Sequence, residues 1–344
     1  MANERKIALL GQPNSGKSTV FNTLTGAHQH VGNWPGKTVE KVEGEFTLNG
    51  TKYLVADLPG TYSLSANSDE EIVTRDYIAS GGAELTCILA DASQLERSLF
   101  MLADYAGINT PAMLVLTMTD VAKAQGKTVD PKKLSQKLGI PVVSLVAPDK
   151  KSYDGFYQAL DAALKVPQKL SADALVALYE SGEQKEAYQT ALSLVPTNGI
   201  DQYSPAWLAA KLLEGDNVVA HKVSAASDKA AVKAFLAENK DGSLYTSDCK
   251  FAWIETLLSG VVTRSKKTSQ LLTKFDRAAI SKRWGKVIAV GIVLLGIMLS
   301  MIVAAPLMAL GGQIPAILRP LIENSGMPAV LASLINGTIV TALG

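Results

Sequence analysis

The sequence predicts an α/β domain with a mostly parallel sheet, then a small all-α domain, then a transmembrane helical segment. Three observations carry that prediction. From about residue 5 to 165, apolar runs of strand length alternate with stretches of helical spacing, the pattern of parallel strands joined by crossover helices. From 166 to about 260, Ala- and Leu-rich helical stretches follow with no convincing strand run. Val287 to Leu310 then carries no charge. At ~1.5 Å rise per residue it spans roughly 36 Å, enough to cross a hydrocarbon core of ~30 Å.

The first strand candidate, Lys6 to Leu10, runs into Gly11 to Ser18, which reads Gly-Gln-Pro-Asn-Ser-Gly-Lys-Ser and fills the phosphate-loop template G-x-x-x-x-G-K-[ST]. Thr19 to Leu24 has helical spacing, so the glycines fall at a strand-to-helix turn. Gly11 and Gly16 let the backbone turn its N–H groups toward the α- and β-phosphates at a helix N-terminus. Lys17 then neutralises the β- and γ-phosphates, and Ser18 binds Mg²⁺. Strand candidates Glu45 to Leu48 and Lys52 to Ala56 flank Asn49-Gly50, a strong hairpin signal, and predict one antiparallel edge pair. Further candidates are Thr86 to Ala90, Ala112 to Leu116 and Pro141 to Val146.

A phosphate loop alone does not separate ATPases, kinases and GTP switches, so the other contacts decide. Asp57-Leu-Pro-Gly60 follows the third strand directly, as D-x-x-G does in GTP switches, where the aspartate holds Mg²⁺ through water and the glycine N–H meets the γ-phosphate. Thr38, in Gly32-Asn-Trp-Pro-Gly-Lys-Thr38, lies where a threonine closes over Mg²⁺ and the γ-phosphate. Thr117-Met-Thr-Asp120 ends the fifth strand candidate, where N-K-x-D normally reads the base, and Val146-Ala147 takes the place of a guanine-supporting S-A pair. Ser68 and Glu71 form a capping box that starts a helix just after the Asp57 loop. Together these predict an α/β P-loop GTPase of Ras-like type, whose hydrolysis resets a loop and a helix that report on the γ-phosphate.

Composition bounds the rest. A net charge of +1 gives no reason to expect nucleic acid as a partner. Cys87 and Cys249 are far apart and support neither a disulfide framework nor a zinc site, which fits a reducing cytosolic face. Met1 to Lys6 lacks a signal-peptide core, so the soluble part is expected not to be exported. In the helical stretch, Ser204-Pro205 is a helix start and Gly215 a helix stop. Between Arg264 and Lys286, eight basic residues face one acid, Asp276, while Leu271, Leu272, Phe275, Ala279 and Ile280 share one helical face. That pattern predicts a basic amphipathic helix on an anionic lipid bilayer and keeps residues 1–286 on the cytoplasmic side. Pro306 should kink the last turns of the membrane helix. Met327 to Gly344 is a second uncharged stretch, with Asn336, Thr338 and Thr341, so a membrane domain has only begun. The expected divisions are 1–165, 166–262, 263–286 and 287–344.

With these residues in view, the chain resembles the FeoB family of bacterial ferrous iron transporters. The resemblance rests on Gly11 to Ser18, on Gly26-Ala-His-Gln-His-Val-Gly-Asn-Trp-Pro-Gly36, on Asp57-Leu-Pro-Gly-Thr-Tyr-Ser-Leu64 and on Asp91-Ala-Ser-Gln-Leu-Glu-Arg97. Farther on, Trp207 to Asp216 and Phe275-Asp-Arg277 look like the family's helical domain and its approach to the membrane. The resemblance implies a cytosolic GTPase, a helical domain favouring the GDP-bound form, and a polytopic domain that passes Fe²⁺ in the bacterial inner membrane. It also allows a small accessory protein or a homo-oligomer. Asn14 matches an asparagine that holds a monovalent cation, K⁺, beside the phosphates.

The residues expected around the nucleotide are Gly11, Asn14, Ser15, Gly16, Lys17, Ser18, Thr19, Gly36, Thr38, Asp57, Gly60, Thr117, Met118, Asp120 and Ala147. Lys17, Thr38 and Gly60 carry the catalytic roles; Ser18, Thr38 and Asp57 hold Mg²⁺. Three departures from the family stand out: Thr117 replaces the asparagine that ties the base-reading segment to the phosphate loop, Leu145-Val-Ala147 is a poor S-A element, and Lys37 stands where an apolar residue is usual. Thr61 follows Gly60 where many GTPases have a water-orienting glutamine, which this family generally lacks. They predict weakened guanine preference and slow intrinsic hydrolysis, and leave open a nucleotide hydrolase of relaxed base choice. A membrane-tethered regulatory GTPase that binds a partner and transports nothing is the competing reading. His28 and His30, without a third ligand, make a poor ferrous site, His221 reads as a surface residue, and Cys249 reads as a small buried apolar residue.

Overall fold

The structure, a computed structural model, describes residues 4–26, 29–35, 37–265, 278–279, 281, 283–311 and 313–340. It divides into two compact units, Met1–Thr268 and Ser269–Gly344.

The first unit is built on a sheet of order β2-β3-β4-β1-β5-β6-β8. Its strands are β1 (Glu4–Gly11), β2 (Gln29–Asn33), β3 (Glu40–Leu48), β4 (Thr51–Asp57), β5 (Leu85–Asp91), β6 (Ala112–Thr117) and β8 (Val142–Ser144). Central β1 pairs in parallel with β4 and β5, and its residues Ile7 to Leu10 are fully buried, which is why it reads as a continuous apolar run. Alternate side chains of β1 go to opposite faces. Ile7 and Leu9 pack with Val20 and Phe21 of α1 (Lys17–Thr25) and Phe156 and Leu160 of α6 (Tyr153–Lys165). Ala8 and Leu10 join a core that runs through Leu99 and Leu102 of α3 (Leu95–Tyr105) into the helical region.

The predicted antiparallel pair is β3 with β4, joined by Asn49 at φ 49° and Gly50 at φ 78°, both left-handed as a type I′ turn requires. The sheet then goes further than the sequence reading: β2 adds a second antiparallel pairing, Gln29↔Gly44 to Asn33↔Glu40. Gln-His-Val-Gly-Asn carries no apolar alternation and is almost wholly exposed, so nothing in its composition marks it as a strand. Short β7 (Lys127–Val129) and β9 (Val262–Arg264) form a separate antiparallel pair, too brief for periodicity to register. The last predicted strand shortens to Val142–Ser144, because Leu145 and Ala147 turn into the loop over α1.

Between the sheet strands lie α2 (Asp69–Ala79), α4 (Thr119–Ala124) and α5 (Pro131–Leu138). Ser68 Oγ accepts from Glu71 N at 3.2 Å, as the capping box predicts, but the Glu71 carboxylate reaches Asn67 N at 3.1 Å and Ser63 Oγ at 2.8 Å, so it ties the preceding loop down instead. The helical stretch forms α7 (Asp173–Ser181), α8 (Lys185–Leu194), α9 (Pro205–Leu213), α10 (Asn217–Ala226), α11 (Lys229–Glu238) and α12 (Gly242–Leu258). Ser204 caps α9 through Trp207 N, with Pro205 at its first turn, and Gly215 follows its end at φ 79°.

An ionic network joins this stretch to the sheet domain. Asp104 of α3 receives Lys211 Nζ at 2.8 Å and Lys250 Nζ at 2.6 Å, and Glu214 receives the same two cations at 2.8 and 2.5 Å. Arg75 of α2, 1 % exposed, pairs with Asp216 at 2.5 Å. Asp104 Oδ2 also accepts from Leu64 N, and Lys211 donates to Ser65 Oγ, so the network reaches the segment just after Asp57-Leu-Pro-Gly60.

The second unit holds α13 (Trp284–Gly311), α14 (Ile314–Glu323), α15 (Ala329–Leu334) and a π-helical turn, Ile335–Val340. Among the described residues, one helix is long and apolar enough to cross a membrane, and its apolar stretch is unburied. It contains the predicted 287–310 span, with Pro306 inside it. The predicted basic amphipathic helix falls mostly on 266–277, and Thr341 to Gly344 end the second uncharged stretch; both lie outside the described residues.

Candidate nucleotide-binding site

The loop between β1 and α1 is shaped by backbone conformation. Gly16 sits at φ 84° as the residue that opens α1, and Asn14 at φ 64°, a conformation asparagine tolerates better than most residues. A Cβ on Gly11 would lie 2.6 Å from Ser15 Oγ and 3.2 Å from Leu89 Cβ, so only glycine lets the chain pass under the loop. The first turn of α1 carries no acidic side chain, and Ser18 and Thr19 are exposed there, leaving its N–H groups and dipole open to an anion.

Asp57 ends β4 beside this loop, held by the pairing of Leu9 with Asp57. Lys17 Nζ meets its Oδ1 at 2.5 Å, with both side chains about nine-tenths buried. Burial raises the Asp57 carboxyl above its ordinary value, and the neighbouring Lys17 ammonium opposes that rise. Leu58 N donates to Leu9 O and Thr61 N to Gly11 O, which seat Gly60 on the loop: a Cβ there would come 3.4 Å from Pro13 N.

The strand end expected to read the base is tied to the same loop. Thr117 Oγ1, fully buried, donates to Ser15 O at 2.7 Å and lies 3.2 Å from Ala90 O. Met118 follows in the left-handed region at φ 51° and opens α4, so that Asp120 stands exposed in its first turn. A Cβ on Gly16 would touch Met118 Cε at 3.6 Å and Ala147 Cβ at 3.8 Å. Ala147 O accepts from Tyr153 Oη at 2.9 Å, and Ser152 Oγ braces Val146. Phosphate loop, Asp57, Gly60, Thr117, Met118 and Ala147 thus gather at the carboxyl ends of β1, β4, β6 and β8, where ligands of open α/β sheets bind.

Residues 5–160 match the family described as Ferrous iron transport protein B, and residues 183–263 match the FeoB cytosolic helical domain. Among solved structures, the cytosolic domain of the T. maritima FeoB iron transporter in a GDP form aligns at 30 % identity and TM-score 0.64, over 76 % of this chain and 100 % of that one. This chain belongs to the FeoB family. The L. pneumophila FeoB cytosolic domain gives 27 % identity and TM-score 0.65, over 75 % of this chain and 100 % of that one. The Fe(2+) transporter FeoB of Escherichia coli O157:H7 is 33 % identical over 286 residues, 81 % of this chain but 36 % of that protein. The chain therefore spans about a third of the length of such FeoB relatives.

Thr38 is exposed, between buried Trp34 and Val39, and Gly36 lies outside the described residues. Of the two loop histidines, His30 is exposed on β2 and His28 lies outside the described residues. Among the described residues, no group of three or more His, Cys, Asp or Glu side chains is placed to hold a metal ion. Cys249 is buried, and burial raises its thiol above the ordinary value. Sequence reasoning gave no role to Gln12, Tyr62, Arg97, Ser152 or Tyr153. Gln12 Nε2 donates to Arg97 O at 2.9 Å, and the Arg97 guanidinium lies 4.8 Å over the Tyr62 ring, beside a cavity of about 120 Å³ that reaches Asn14. The Asp91 to Arg97 string was the available signal; its place beside the loop depends on the β5–α3 turn.

Proposed function

We propose that this chain is the GTP-binding and GTP-hydrolysing cytosolic portion of a membrane Fe²⁺ transporter, together with the start of its membrane domain. The observation that carries the nucleotide assignment is the Thr117 hydroxyl on the Ser15 carbonyl. It ties the base-reading strand end to the phosphate loop, the task expected of the missing asparagine, and so supports guanine preference through Asp120. Lys17 would leave Asp57 to neutralise the β- and γ-phosphates, while the N–H groups of Gly16 to Thr19 cradle them. Gly60 N–H and Thr38 would report on the γ-phosphate. The ligand set offered to Mg²⁺ is the Ser18 and Thr38 hydroxyls with the Asp57 carboxylate, hard oxygen donors of the kind that ion prefers. When bound, Mg²⁺ supplies charge neutralisation at the phosphates. Asn14 is the residue to which we assign K⁺.

The remaining assignments follow family membership. GDP-bound and GMPPNP-bound structures are described for the T. maritima FeoB cytosolic domain, which supports both nucleotide states for residues 1–165. We assign 166–262 to the helical regulatory domain, 263–286 to the membrane approach and 287–344 to the start of the membrane domain in the bacterial inner membrane, with residues 1–286 cytoplasmic. Fe²⁺ is the cargo of the whole transporter. An accessory protein or a homo-oligomer rests on the resemblance alone.

The test is competition of GTP, GDP, ATP and ADP for a fluorescent guanine nucleotide, with Mg²⁺ and either K⁺ or Na⁺. Guanine nucleotides are expected to win by a hundredfold or more, about 2.7 kcal/mol. Equal competition by adenine nucleotides would reduce the assignment to a nucleotide hydrolase of relaxed base choice.

A further inference from the structure

We propose that Lys37 and Asp69 form a positioning pair that clamps the Thr38 loop to α2, and so couples the two segments that report on the γ-phosphate. The inference rests on the proposed GTP site and concerns its regulation. Lys37 Nζ lies 2.6 Å from Asp69 Oδ1, the side chains being 36 % and 51 % exposed.

The loop is closed on itself. Trp34 N donates to Val39 O at 2.9 Å and Lys37 N to Trp34 O at 3.0 Å, with Trp34 and Val39 buried and Thr38 exposed between them. Its base is fastened to α2 by the Trp34 ring, edge-on to Tyr77 at 5.1 Å, under Lys41 Nζ, which sits 5.1 Å above the indole. Its tip is fastened by Lys37 to the first turn of the same helix. Asp69 and Tyr77 are eight residues apart, or ~12 Å along the axis. Two anchors that far apart resist rotation of the loop as well as its departure, whereas the aromatic contact alone would leave a pivot. Thr38 is the residue adjacent to the second anchor, and α2 follows directly on the Gly60 loop. A γ-phosphate that draws in Gly60 therefore carries Thr38 with it. An apolar residue at 37 offers Asp69 no partner.

Asp69 also sits in an acidic first turn, Asp69-Glu70-Glu71, capped by Ser68, so α2 keeps its dipole partners and its cap without Lys37. Loss of the pair should therefore spare the fold and act on nucleotide selectivity.

The experiment uses the full 344-residue chain in detergent and the affinity ratio of GMPPNP to GDP. Wild type is compared with Lys37→Met, Asp69→Asn, Lys37→Arg and the exchanged double variant Lys37→Asp with Asp69→Lys. The single variants Lys37→Met and Asp69→Asn should lower the ratio about two- to fivefold, the range an exposed pair supplies, with GDP affinity unchanged. Lys37→Arg and the exchanged pair should recover it. Salt of roughly 0.5 M should narrow the difference in ratio between wild type and Lys37→Met, because it screens the exposed pair in wild type alone on top of the screening common to both. An unaltered ratio in both single variants, or an exchanged pair no better than either, would overturn the clamp. Failure of wild type to bind either nucleotide would instead overturn the proposed GTP function, and is read before any variant.

Discussion

At the scale of single residues, the decisive side chain is Thr117. Its hydroxyl is buried at 0 % exposure against the Ser15 carbonyl, and a carbonyl stripped of its donor in such a place costs about 1–3 kcal/mol. Thr117→Val keeps the shape and removes the donor. It should weaken GDP and GTP alike by about ten- to a hundredfold, read by fluorescent-nucleotide titration, because the loop loses its brace rather than a base contact. Asp120→Ala should instead erase discrimination between guanine and adenine while leaving the phosphate contribution in place. A Thr117→Val variant of wild-type affinity would show that the tie does not shape the loop.

At the scale of elements, α2 is the one whose ends are most heavily furnished. Ser68 caps it, and Glu71 secures the preceding loop through Asn67 N and Ser63 Oγ. Ser68→Ala should destabilise the chain by about 1 kcal/mol, measured by denaturant unfolding. Because α2 follows the Gly60 loop and meets the Thr38 loop at Tyr77 and Asp69, the same variant should also slow GTP hydrolysis. A stability loss without a kinetic change would place the cap outside the switch. The long apolar helix α13, 28 residues, contains the uncharged run Val287 to Leu310 that marks it in the sequence. By contrast β2 owes its strand form to the β3 edge, and the same five residues would read as loop in any other setting.

At the scale of the molecule, the ionic network at Asp104 joins the nucleotide domain to the helical stretch. Burial alone would raise the Asp104 carboxyl, but the ammonium groups of Lys211 and Lys250 outweigh it and hold it well below the usual carboxylate range; Glu214 is lowered by the same cations against the same burial. Lys250, buried, would be lowered by desolvation but is raised by Asp104 and Glu214. Removing one member leaves its partners uncompensated, so Lys250→Met should cost about 3–5 kcal/mol. The pH dependence has a definite sign. A carboxyl whose folded value is depressed binds fewer protons than in the unfolded chain, so its contribution is complete above the unfolded value of about 4 and is lost as pH falls toward the folded value. Thermal unfolding followed from pH 6 down to 3 should therefore show falling stability, with a shallower slope in Lys250→Met. Equal slopes would assign acid lability to other carboxylates.

The sequence by itself determined the phosphate loop, the D-x-x-G turn, the alternation of the longer buried strands with helices, the Asn49-Gly50 hairpin and the long apolar helix. Each of these depends on local backbone demands or on an unbroken hydropathy pattern, which neighbouring residues carry in full. Tertiary structure alone decided that the Thr117 hydroxyl meets the Ser15 carbonyl, since that acceptor is 102 positions away in the chain. It also decided that Lys37, which composition would leave in solvent, meets Asp69, and that Asp104, Lys211, Glu214 and Lys250 share one buried site. Pairings across long separations are set by where packed elements bring side chains together, and no local pattern records them.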